Sequence, residues 1–138
     1  MPPLERPRLQ QDQPSVLLVD DDKSILGMLS SCLSAAGLDS MSASSGREAI
    51  DKLGRAVFNV VVLDLCLGDD IDGLGVLEAI KKENRDTAII MMSGTSNAEI
   101  REYAIRRGAY AFLAKPFDPA SLLLLIRSAG CRAALPDR

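Results

Sequence analysis

From Ser15 onward, short apolar runs alternate with longer segments of mixed polarity. The runs Val16–Val19, Val60–Leu63, Ala88–Met92 and Tyr110–Leu113 are rich in β-branched and large apolar residues, and a weaker run lies at Leu38–Met41. Runs this short suit strands, and their unbroken apolarity predicts a sheet covered on both faces. Between them lie segments of roughly 10 to 14 residues, the usual length of a globular helix. Gly37 and Gly108 stand where two helices should stop, as residues free to take positive φ. Ser96-Asn97-Ala98-Glu99 reads as a capping box, and Asp118-Pro119 supplies an N-cap and a first-turn proline. Five β/α units in series predict a doubly wound, five-stranded parallel sheet with right-handed crossovers and helices on both sides, a three-layer α/β/α domain.

The boundaries follow from the same pattern. Residues 1–14 hold four of the seven prolines and no periodicity, and are expected to form a disordered leader. The domain is expected over 15–130, with a C-terminal tail over 131–138. A chain of 138 residues with 47% apolar and 25% charged residues fits one soluble domain. No apolar run approaches the roughly 20 residues of a membrane span, and the N-terminus lacks a signal-peptide core. A cytoplasmic protein is therefore expected.

Composition narrows the chemistry. Histidine is absent, which removes imidazole acid–base catalysis and imidazole metal ligands. Cys32, Cys66 and Cys131 have neither disulfide-framework nor zinc-site spacing. A net charge of −3 argues against direct nucleic-acid binding. The basic group Arg101, Arg106 and Arg107 reads as a solvated helix face.

Ligands of doubly wound sheets bind at the carboxyl ends of the strands. Here those ends carry Asp20-Asp21-Asp22, Asp64, Ser93-Gly94 and Lys115-Pro116. Clustered carboxylates repel one another, so at least one pKa should rise unless a cation intervenes. Mg²⁺, which favours a few carboxylates and phosphate oxygens, suits Asp20, Asp21 and Asp64, with the backbone carbonyl of Cys66 completing the sphere. Beside such an ion a carboxylate can act as nucleophile toward phosphorus. Lys115 and the Ser93 hydroxyl would then hold the oxygens of the transferring group. Pro116 restricts the Lys115 backbone and helps aim its side chain.

Leu17-Leu18-Val19-Asp20-Asp21-Asp22, Val61-Val62-Leu63-Asp64-Leu65, Asp72-Gly73, Met91-Met92-Ser93-Gly94 and Phe112-Leu113-Ala114-Lys115-Pro116-Phe117 appear in order, and over about 15–130 the chain resembles the receiver domains of two-component response regulators. The resemblance implies a flavodoxin-like, chemotaxis-regulator-like fold. It also implies Asp64 as phosphoacceptor, Asp21 as a direct Mg²⁺ ligand and Asp20 as one acting largely through water. Lys115 and Ser93 would sense the phosphoryl group, and Phe112 would be the aromatic that turns inward on switching. The implied donor is a histidine kinase or histidine phosphotransfer protein, and the implied role is a phosphorelay switch, not an enzyme beyond self-catalysed transfer and dephosphorylation. A receiver-shaped interaction module working without phosphorylation is the alternative.

The sequence also departs from the family. Gly68 stands where a proline is usual, and Gly73 comes nine residues after Asp64 instead of eight. Altered dephosphorylation kinetics and loop mobility are expected from this, with phosphorylation retained. Other phosphate and metal motifs fail. An EF-hand register would put Gly68 and Ala79 where acids belong, an Asp-x-Asp phosphatase motif is broken by Cys66, and no Walker loop is present.

In the last helix, a buried stripe of Leu122, Ile126 and Ala129 puts Leu124 opposite it, flanked by Leu123 and Leu125. These three leucines are candidates for a docking or homodimer surface on the face made by helix 4, strand 5 and helix 5. With few residues after that helix, a stand-alone regulator acting through a partner is expected, unless the chain is a piece of a longer protein.

Overall fold

The computed structural model describes residues 13–68, 71–83, 86–94 and 98–134, the side chains of 131–134 excepted. In chain order the elements are β1 (Val16–Val19), α1 (Lys23–Ala35), β2 (Ser40–Ala43), α2 (Gly46–Leu53), β3 (Val60–Asp64), α3 (Gly73–Glu83), β4 (Ala88–Ser93), α4 (Ala98–Arg106), β5 (Ala111–Ala114) and α5 (Pro119–Ala134). The five strands form one parallel sheet in the order β2-β1-β3-β4-β5. Val16 pairs with both Ser40 and Val60, so β1 lies between β2 and β3, and the topology reverses at β1.

Strand periodicity divides the core. Leu17, Val19, Val61, Leu63, Ile89 and Met91 point to one side, where Ala49, Val76, Leu77, Ile80 and Ala104 of α2, α3 and α4 cover them. Val16, Leu18, Val60, Val62, Ile90 and Met92 point to the other, under Leu26, Leu29 and Leu33 of α1 and Leu122, Ile126 and Ala129 of α5. This two-sided burial is why the strands read as unbroken apolar runs.

Local signals explain most element ends. Asp22 caps α1, its side chain accepting from the backbone N–H groups of Ser24 and Ile25. Gly37 and Gly108 take φ of 82° and 113° after α1 and α4. Asp118 Oδ1 accepts from the Ala120 N–H, with Pro119 opening α5. The Ser96–Glu99 capping box falls largely outside the described residues. Two strands sit differently from expectation. The β2 run expected at Leu38–Met41 is paired at Ser40–Ala43, because Leu38 instead closes α1, donating its N–H to Leu33 O. β5 begins one residue later than expected, at Ala111.

The expected leader lies outside the described residues except for 13–14. There Gln13 Oε1 accepts from Arg127, and a Cβ on Gly130 would lie 2.5 Å from Pro14 Cβ. α5 continues past residue 130 to Ala134. Among the described residues no helix is long and apolar enough to cross a membrane.

Candidate functional site

Parallel strands align their carboxyl ends, and the register delivers the side chains together. β3 ends in Asp64, paired with Met92 next to Ser93, and Ser93 is in turn paired with Ala114 just before Lys115. Asp20 follows β1 directly. Asp20 and Ser93 are fully buried, Asp64 is 5% exposed, and Asp21 is exposed. Carboxylate oxygens of Asp20, Asp21 and Asp64 lie within 4.8 Å of one another.

Lys115 holds the buried acids together. Its Nζ donates to Asp20 Oδ2 at 2.8 Å and lies 3.5 Å from Asp64 Oδ2. The Lys115–Pro116 peptide is cis. The other oxygen of Asp20, Oδ1, accepts from the Asp22 N–H at 2.9 Å. Asp64 Oδ1 accepts from the Cys66 N–H at 3.4 Å.

Electrostatics single out Asp64. Burial, reinforced by the Asp20 charge, raises its pKa from an ordinary 3.8 to about 6, against the opposing pull of Lys115 and the Cys66 N–H. For Lys115, burial pulls the pKa down, but the Asp20 hydrogen bond and the charges of Asp64 and Asp20 outweigh it, so the ammonium titrates above its ordinary value. A buried carboxylate raised by a neighbouring carboxylate marks a place where a cation is favourable. Three converging carboxylates are hard oxygen donors, and the residues present fit Mg²⁺.

The remaining candidates are placed as follows. The Cys66 thiol is exposed and Cys32 is likewise free; the side chain of Cys131 is outside the described residues. Phe112 is half-buried at the edge of the α2/α3/α4-side core, with the Arg101 guanidinium 5.8 Å from its ring centroid. Arg107, just after α4, stacks on Tyr103 and pairs with Glu78 at 3.2 Å, so with Arg101 over Phe112 two of the three basic residues are tied to neighbours. Of the three candidate leucines on α5, Leu124 is strongly exposed, at 71%, whereas Leu123 and Leu125 are half-buried against the α1/α5-side core.

Two glycines shape the loop after Asp64. A Cβ on Gly73 would overlap Asp64 O and lie 2.7 Å from Leu65 Cα, and the Gly73 N–H donates to Leu65 O at 3.0 Å. Despite the extra residue, Gly73 thus brings the start of α3 directly against the end of β3. A Cβ on Gly68 would lie 3.0 Å from Asp21 Oδ2, so the residue in the usual proline position faces a candidate ligand. Sequence reasoning missed Gly46, whose absent side chain leaves room for the Ile71 carbonyl. It also missed the capping box Ser45-x-x-Glu48 that begins α2 at this glycine. That motif was legible.

A doubly wound five-stranded sheet with an acid cluster and a lysine at its carboxyl end has the flavodoxin-like architecture of receiver domains. The chain belongs to the response regulator receiver domain family, whose model matches residues 16–127. It is 36% identical over 118 residues to a putative NtrX-like response regulator of Rickettsia felis, covering 85% of this chain and 25% of that protein. The chain thus spans about a quarter of the length of that curated relative. Among solved structures, it matches the receiver domain of NtrX from Brucella abortus at 36% identity and a TM-score of 0.79, covering 83% of this chain and 96% of the other. It matches the beryllofluoride-activated NtrC4 receiver domain dimer at 36% identity and 0.81, covering 87% and 98%. Receiver domains are signalling regulators of two-component systems and generally bind Mg²⁺ in an acidic pocket.

Proposed function

We propose that Asp64 accepts a phosphoryl group, with Mg²⁺ held by Asp20, Asp21, Asp64 and the Cys66 backbone carbonyl, as the switch of a cytoplasmic phosphorelay. The observation that carries this reading is the convergence of three carboxylates and one lysine from three strand ends, with Asp64 buried among them. Bound Mg²⁺ would neutralise charge on the carboxylates and on the transferring group. An Asp64 oxygen attacks phosphorus, the P–N bond of the donor breaks, and the released imidazole takes up a proton from solvent. These 138 residues contain no histidine, so the donor imidazole lies outside them, on a histidine kinase or phosphotransfer protein. Lys115, already within reach of Asp64, binds one phosphoryl oxygen, and the Ser93 hydroxyl binds another. Phe112 follows by turning inward from its half-buried position. The chain turns over no substrate beyond this transfer and its own dephosphorylation.

Partner binding or homodimerisation is assigned to the face of α4, β5 and α5, around Leu124. The dimeric state of the activated NtrC4 receiver supports homodimerisation, and the exposure of Leu124 supports this face. Beryllofluoride should raise the apparent mass in size-exclusion chromatography, and Leu124→Glu should cancel that increase.

Intact-protein mass after incubation with acetyl phosphate and Mg²⁺ tests the central reading. One added phosphoryl group is expected, absent with EDTA and absent in Asp64→Asn. No gain, once Mg²⁺ binding is confirmed and a histidine-phosphorylated donor has also failed, would reject acceptance on Asp64 in favour of an interaction module that works without phosphate.

A further inference from the structure

We infer that Gly46, at the first position of α2, is a positioning residue for the acceptor loop, acting through Ile71. A Cβ on Gly46 would overlap the Ile71 carbonyl oxygen and lie 3.0 Å from the Ile71 carbonyl carbon. The obstruction is backbone, which cannot rotate aside as a side chain would. On its other side Ile71 meets Gly75, where an added Cβ would be 3.3 Å from Ile71 Cγ2. Ile71 is therefore clasped between two glycines, one at the start of α2 and one in the first turn of α3.

The α2 side of the clasp is the fixed side. Ser45 Oγ caps α2 by accepting from the Glu48 N–H at 3.0 Å, and Glu48 Oε1 reaches back to accept from the Ser44 N–H at 2.8 Å, one residue before the cap. Lys52 pairs with Glu48 and donates to the Ser42 carbonyl, fastening the helix to the end of β2. Pressure from a side chain at 46 therefore displaces Ile71 more readily than α2. From Ile71 the path to the acceptor is short. Asp72 caps α3, accepting from the Gly75 N–H at 3.0 Å, and Gly73 rests on Asp64 O while donating to Leu65 O. A displaced Ile71 thus pushes on the backbone that presents Asp64 and Cys66. Only the last link, to metal and phosphoryl binding, rests on the function proposed above.

The test compares amide spectra of the full chain, metal-free and during Mg²⁺ titration, for wild type, Gly46→Ala, Gly75→Ala and Gly27→Ala. Gly27 has nothing within 4 Å and controls for the substitution itself. Gly46→Ala should move the amides of Ile71–Gly73 and of Leu65–Cys66, and weaken Mg²⁺ binding by about 10-fold, as loss of a ligand's supporting contact does. Gly75→Ala should move the same amides by less, and it decides the matter if Gly46→Ala does not fold. Shifts confined to α2 or the first turn of α3, with an unchanged Mg²⁺ midpoint, would overturn the inference. A wild-type chain that ignores Mg²⁺ would sink the proposed site instead, while the metal-free amide shifts would still judge the clasp.

Discussion

After β1, only Asp20–Asp22 separate the strand from α1, whereas after β3 the chain runs from Leu65 to Asp72 before α3 begins. Both connections present acids to the same point. In the first, the geometry comes from neighbours in sequence. Asp22 caps the helix, and its own N–H holds Asp20 Oδ1. In the second it comes from distant contacts. Gly73 closes against Asp64 and Leu65, Gly46 receives Ile71, and Lys115 spans from β5. One acid-bearing turn is built by local hydrogen bonds and the other by close packing, so they should fail differently.

The largest effect is expected from Gly73→Ala. Its Cβ meets backbone on both Asp64 and Leu65, an overpacking that costs about 1–3 kcal/mol. Chemical denaturation should show the loss, and labelling by acetyl phosphate should fall with it.

Asp64 itself gives a pH-dependent contrast. In the fold its pKa is raised to about 6 from 3.8, so between those values the folded chain holds a proton that the unfolded chain has released. The stability contributed by this group is full below about pH 3.8 and is lost as pH rises through about 6. Without Mg²⁺, Asp64→Asn should therefore melt a few degrees above wild type at pH 7.5, 1 kcal/mol being worth roughly 4 °C in a domain this size. The gap should close as pH falls toward 4. Adding Mg²⁺ should raise the melting temperature of wild type and leave the variant nearly unmoved. A gap independent of pH would refute the assignment of the strain to the Asp64 charge.

Asp22→Ala tests the locally built turn. Loss of the cap should cost about 1 kcal/mol of stability while labelling of Asp64 persists. Equal losses of stability and labelling would show that the two turns are not separable. Gly68→Ala should have the smallest effect, within about 0.5 kcal/mol, because the atom it approaches is the end of an exposed carboxylate. Its readout is the Mg²⁺ midpoint, which should weaken slightly, and the lifetime of the labelled form, which should change.

How much was legible follows the same division. The strands β1, β3 and β4, the Asp118 cap and the two positive-φ glycines could be read directly, because each depends on residues close in sequence. β2 was misplaced because its pairing is decided by β1, and Ser40–Ala43 carries little apolar signal of its own. The candidate acids and Lys115 were legible as residues at strand ends. Their 2.8 and 3.5 Å separations were not. The leucine-rich stretch of α5 looked like a three-residue face, yet contacts with the sheet side leave Leu124 alone strongly exposed.

Sequence by itself determined the alternation of strands and helices, the two-sided burial and the order in which acids, serine and lysine reach one edge. Those are properties of periodicity and local hydrogen bonding, which act over a few residues. Only the tertiary structure decided that Asp64 is buried beside Asp20 with a raised pKa, and that Gly46, Gly73 and Gly75 are contact points and not merely flexible links. Burial, charge coupling and backbone approach depend on distances between segments that the chain brings together only by folding.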